Sequence, residues 1–169
     1  AAAAVLGRSV FFVSWSVVHV VFPVIASVSS TASQRVRAAL TAVGIIVGVG
    51  AVGVGVAALA GDELMRLVFG SDYAAAAELL VPYLIATSLF ALANLLAAVD
   101  LARGRLAGPL VLALGASLQT VALVLWASTP QSLVLLQIVG TAATLVALIA
   151  VVVVRTVARR RRIRTRQTL

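Results

Sequence analysis

Long apolar runs limit what this chain can fold into more than any other feature. Five of them, near residues 7–28, 39–60, 74–98, 109–127 and 131–154, reach or approach the roughly 20 residues that a helix needs to cross about 30 Å of hydrocarbon. Inside a bilayer no water satisfies a backbone N–H or C=O. A spanning segment must therefore be a helix or part of a closed barrel. The runs lack the two-residue alternation of barrel strands. The expectation is an all-α, polytopic transmembrane helical bundle over residues 1–154, followed by an arginine-rich tail at 155–169. Composition agrees, since 63% of the 169 residues are hydrophobic and only 11% are charged, far from the balance of a soluble domain.

The net charge of +8 would suggest a nucleic-acid partner if it were spread over a folded surface. Instead all thirteen basic residues are arginine, and seven lie at or after Arg155. A tail of this kind directly after a membrane helix attracts anionic lipid headgroups and holds its end on the cytoplasmic side. No nucleic acid is expected as partner, because no aromatic residues interleave with the arginines. Arg35 with Arg37, Arg103 with Arg105, and the terminal arginines fall at alternate ends of successive spans. This places the N-terminus outside and the C-terminus inside by the positive-inside rule.

Between the second and third runs lies GDELMRLVFGSDY, residues 61–73, which holds three of the five acidic residues. A short interfacial helix is expected here, stopped by Gly70, with Asp72 capping the helix that follows. Phe69, Gly70, Asp72 and Tyr73 form this central turn. SSTASQRVRA at 29–38 reads as a polar loop. Asp100 is expected to pair with Arg103 or Arg105 beside it.

The first run is the most polar of the five. Arg8, Trp15, Ser16 and His19 are its candidates for facing a cavity or a substrate, since ionisable and polar groups inside a membrane span usually face a bundle interior or a water-filled space. Pro23 removes a helical donor and is expected to bend this helix near its end, and Pro82 the entry of the third. Gly44 and Gly48 form a GxxxG pair and, with Gly53, are expected to serve helix packing or bending. Gln137 and Thr141 are expected to bond across helices.

Nothing in the sequence points to catalysis. There is one histidine, no cysteine and no lysine, and the His, Asp and Glu residues do not cluster with metal-ligand spacing. GVGAVGVGV at 48–56 superficially resembles a nucleotide loop but sits within a membrane run. An enzyme, a cofactor and a metal are therefore not expected. The opening AAAAVLGRSVFF has no basic region ahead of its apolar part, so it does not read as a signal peptide. The expectation is that upstream helices belong with this chain.

FPVIAS at 22–27 and LMRLVFGSDYAAAAELLVPYLIATSLF at 64–90 resemble the C-terminal half of bacterial polysaccharide biosynthesis flippases. These belong to the superfamily that also holds multidrug exporters and lipid-linked peptidoglycan precursor flippases. Phe69, Gly70 and Tyr73 resemble that family's segment between two spans, Pro23 its proline near a helix end, and Gly104 with Arg105 its cytoplasmic turn. The resemblance covers roughly residues 5–155. It implies a partial transporter fold that moves a lipid-linked oligosaccharide or polysaccharide precursor across the bacterial cell membrane by alternating access. The chain would supply about five of roughly twelve crossings. Implied partners are membrane lipids, a polyprenyl-linked sugar, and an N-terminal transporter half or another membrane chain. Two other readings stay open. One is a nontransporting membrane fragment or structural module that binds a partner through its glycine face; the other is part of a multidrug-type exporter.

Overall fold

The structure is a computed structural model that describes residues 2–27 and 29–167. Residue 28, at the end of the first expected span, and the last two residues of the expected tail lie outside the described residues. Among the described residues are five α-helices: α1 Ala2–Ala26, α2 Ala32–Phe69, α3 Leu80–Ala102, α4 Ala107–Trp126 and α5 Pro130–Gln167. Each is long and apolar enough to cross a membrane. Apolar side chains line the outside as well as the inside, as Leu59, Leu67 and Val124 illustrate at 79–89% exposure. In water such a surface would aggregate. In hydrocarbon it is simply solvated, so this is a multi-pass helical membrane protein.

α3 is the centre of the bundle. It packs against each of the other four helices, while α1 also packs on α2 and α4 on α5. The α3 face that buries Leu84, Ala91 and Leu95 meets Val18 of α1 and Ala42, Ile46 and Ala57 of α2. Small residues bring the helices close. A Cβ on Gly50 would collide with Ser88 and one on Gly53 would press on Val10, whereas Gly115 lies against Thr144 and Gly140 against Gln119. Without a hydrophobic drive between helices in lipid, such close van der Waals approach is the main source of packing energy.

The local boundaries differ from the sequence reading for identifiable reasons. The segment expected as a loop through residue 38 is helical from Ala32, because Thr31 and Gln34 form a reciprocal capping box. The Thr31 hydroxyl accepts from the Gln34 N–H at 3.2 Å and the Gln34 side chain accepts from the Thr31 N–H at 2.8 Å. The separate interfacial helix expected after residue 60 is a continuation of α2 past a kink at Ala60 (φ −137°, ψ 23°). There Gly61 and Met65 are buried beside Ala77, which holds the continuation against the bundle.

Gly70 does stop α2, at φ 96° and ψ 169°. Asp72 does not cap the helix that follows: residues Ser71–Leu79 form a 3-10 segment with no side-chain cap, and α3 begins only at Leu80. Pro82 therefore falls in the first turn of α3, where no helical hydrogen bond is lost, and it breaks nothing. Pro23 likewise sits inside an unbroken α1, in its final turn. The arginine-rich segment from Arg155 continues α5 as helix.

The Gly70 conformation is one that only glycine occupies without strain. Gly70→Ala is expected to cost about 1–3 kcal/mol, although no side chain crowds the position. Thermal unfolding of the two proteins in the same detergent tests this, since a substitution that merely filled open space would leave the midpoint unchanged.

Candidate functional site

Among the concavities that the described residues form, two gather residues of interest. The first is a groove of about 760 Å³ between α1 and α4, floored by α3. Its walls are Trp15, His19, Phe22 and Pro23 from α1 and Pro109, Leu112, Ala113 and Ala116 from α4. Phe90, Asn94, Ala97, Ala98 and Leu101 make the floor. The groove exists because α1 and α4 both pack on α3 without packing on each other. Alanines on the floor and on the α4 wall keep it open, while aromatic rings line the α1 side.

Polar groups in the groove are few, which gives each one weight. His19 Nδ1 lies 2.9 Å from the Trp15 carbonyl oxygen. A carbonyl can only accept, so this hydrogen bond requires a proton on Nδ1. The imidazole also leans on the Trp15 indole, with centroids 4.9 Å apart. Phe11 bridges Trp15 and Phe90 at 5.8 and 5.7 Å, fixing the α1 wall against the α3 floor. Asn94 is half-buried on that floor.

The structure brings only some of the sequence candidates to this groove. Trp15, His19 and Pro23 line it. Arg8 and Ser16 do not: both are exposed, and the Ser16 hydroxyl donates to the Phe12 carbonyl of its own helix at 3.0 Å. Ser14 is the buried serine of α1, and it too bonds back, to Val10 at 2.9 Å. The hydroxyl expected to bond across helices at Thr141 donates instead to the carbonyl oxygen of Gln137 at 2.6 Å. In an apolar medium the i−4 carbonyl is the nearest acceptor, and short polar side chains take it. Gly44 and Gly48, expected to pack, have nothing within 4 Å of a Cβ position. They face outward on α2. Gly53 does pack, against Val10 and Leu84.

Asn94 was not singled out for the groove, and neither were Phe90 and Pro109. Their only sequence signal was a polar or cyclic residue within an apolar helix. Whether such a residue faces lipid or a cavity depends on the helix's rotation, which the sequence leaves open.

The second concavity, about 620 Å³, lies where the α1–α2 connection meets the α3–α4 turn and is lined by Ser30, Ala32, Arg35, Val36, Arg103 and Arg105. Chain direction explains the gathering. The N-terminus of α2 and the C-terminus of α3 lie at one end of the bundle, and the α3–α4 turn, closed by Gly104 at φ 68°, is at that end as well. Asp100 is at the same end but pairs with neither neighbouring arginine. Its carboxylate accepts from Arg155 Nη1 of α5 at 2.9 Å. The tight turn explains the difference, because the Arg103 and Arg105 N–H groups both donate to the Asp100 carbonyl and both side chains are exposed.

Five spans, a lateral apolar groove and an arginine-lined end define the class: a multi-pass helical membrane protein. No protein family, curated protein or solved structure matches this chain.

Proposed function

We propose that this chain forms part of a flippase or exporter that moves a lipid-linked oligosaccharide or polysaccharide precursor across a bacterial cell membrane by alternating access. The observation that supports this reading best is the groove between α1 and α4. It is lined mainly by carbon, offers His19 and Asn94 as isolated polar groups, and is open at the side of the bundle. A groove of that chemistry suits an amphiphile whose chain stays in hydrocarbon while its polar part is handled by a few hydrogen bonds. In this reading the arginine-rich end faces the cytoplasm, other helices complete the pathway, and no chemical conversion takes place.

The test is translocation of a fluorescent polyprenyl-linked oligosaccharide in proteoliposomes. His19→Ala and Asn94→Leu are each expected to slow it about tenfold, the effect of one lost hydrogen bond to a polar ligand. Ser16→Ala should leave the rate unchanged. A correctly inserted assembly of this chain with the helices that complete the pathway overturns the proposal if it moves no lipid, or moves it equally well with the groove altered. Movement of a lipophilic cation in place of the lipid assigns the groove to a multidrug-type exporter.

A second reading, a structural module that binds a membrane partner, is favoured by one specific observation. Gly44 and Gly48 lie one turn apart on α2 with no atom against them, a surface that permits close approach of another helix. Gly44→Leu with Gly48→Leu would abolish such an association, read by crosslinking in membranes.

A further inference from the structure

We propose that the concavity at the arginine-rich end binds a phosphate group, presented by an anionic lipid headgroup or by a free phosphate compound. Three guanidinium groups, from Arg35, Arg103 and Arg105, share one pocket. Like charges brought together in this way repel one another, and the repulsion is larger beside a membrane than in open water. A counter-charge in the pocket relieves that repulsion.

None comes from the described residues. Of the chain's five acidic residues, Asp100 is bound to Arg155. Asp62 and Glu63 lie in the last turns of α2, and Asp72 and Glu78 in the following 3-10 segment, all at the opposite end of the bundle. No carboxylate lines the pocket. Its hydroxyl, on Ser30, already donates to the Val24 carbonyl at 2.8 Å.

Arg35 adds an independent observation. Its Nη2 donates to the Ser27 carbonyl at 2.7 Å, which holds the half-buried guanidinium in position. Its Nε is shielded from solvent and has no acceptor among the described residues. A buried N–H without a partner is costly and uncommon in native proteins. An anion entering beside Arg35 would supply the missing acceptor and the missing charge together. Phosphate is the group whose tetrahedral oxygens match the planar N–H fork of arginine. The pocket also lies among the ends of α1, α2, α3 and α4, and helix ends that leave hydrocarbon meet the headgroup phosphates. The site does not depend on the transport reading, since none of its residues belongs to the α1/α4 groove.

The experiment uses the full chain in nanodiscs of phosphatidylcholine with and without phosphatidic acid, with retained lipid counted by native mass spectrometry. Two double variants that remove equal charge are compared: Arg103→Gln/Arg105→Gln in the pocket and Arg37→Gln/Arg66→Gln outside it. General attraction of arginines to an anionic surface weakens both equally. The pocket pair is expected to lose at least about tenfold more affinity than the control pair, the equivalent of one charge-assisted hydrogen bond. Arg103 and Arg105 are exposed, so their replacement leaves the fold intact. Arg35→Lys keeps the charge but removes Nε, and is expected to weaken binding by about tenfold as well. Competition by inorganic pyrophosphate in the same nanodiscs separates the two sources: displacement of the lipid assigns a free phosphate ligand, and retention assigns a headgroup, both in keeping with the site. Equal weakening by the two double variants overturns it.

Discussion

Arg155→Ala is expected to destabilise the protein by about 2 kcal/mol, between the ~1 kcal/mol or less of an exposed pair and the ~3–5 kcal/mol of breaking a fully buried one. The intermediate value follows from the geometry, because the Asp100 side chain is 5% exposed and that of Arg155 38%. Removing the arginine leaves a carboxylate at the edge of hydrocarbon without its 2.9 Å partner. Arg103 and Arg105 do not pair with the carboxylate in the structure: their backbone N–H groups bond to the Asp100 carbonyl and their side chains are exposed. Asp100→Ala alone frees an arginine that can still reach water, so it should cost less. The double variant Asp100→Ala/Arg155→Ala should be more stable than Arg155→Ala, since no buried charge remains. Unfolding in a mild detergent titrated with a denaturing one measures all four corners of this cycle. Additive single effects would show that the pair contributes nothing to holding α5 against α3.

Gly108→Val should be at least as damaging, at about 2–3 kcal/mol by overpacking. A Cβ at Gly108 would lie 2.8 Å from the Asp100 Cβ and 3.2 Å from the Ala97 Cα. A flexible side-chain end could swing away, but a Cα cannot. α4 must therefore lift off α3, and because Asp100 is pushed as well, its bond to Arg155 is disturbed at the same time. A substitution at an open glycine of α2 gives the control. Gly48→Ala meets nothing within 4 Å and should be neutral or stabilising by up to ~1 kcal/mol from helix propensity. If the two variants behave alike, close packing at Gly108 is not what joins α4 to the bundle.

These two sites show how far the sequence could be read. Asp100 and Arg155 could both be placed at the arginine-rich end from the alternation of spans and charges. Arg103 and Arg105 were nearer in sequence, however, and only the turn geometry removes them as partners. Gly44 and Gly48 carry the recognised spacing for helix contact, yet they face outward, whereas Gly108, spaced the same way from Gly104 in the turn, and Gly115, which has no such partner, make the contact. A small-residue pattern records that close approach is permitted, and the neighbouring helix decides whether it occurs. Thr31 and Gln34 were a legible start signal that the polar character of residues 29–38 obscured. In the groove, Trp15 and His19 could be found from polarity and aromaticity on an apolar helix, while Asn94 was indistinguishable from a residue at a membrane edge.

The sequence by itself determined that this chain forms five helices long and apolar enough to cross a membrane and that most of its arginines, Arg8 and Arg66 excepted, belong to one end. Those properties depend on run length, local apolarity and the parity of successive spans, and they add up along the chain without reference to any contact. The tertiary structure alone decided which face of each helix turns inward, that α1 and α4 leave a groove over α3, and that Arg35, Arg103 and Arg105 share one pocket. Rotation of a lipid-soluble helix about its own axis changes little in its contact with hydrocarbon. Its orientation is therefore set by the shapes of its neighbours, and those become available only when all the helices are packed.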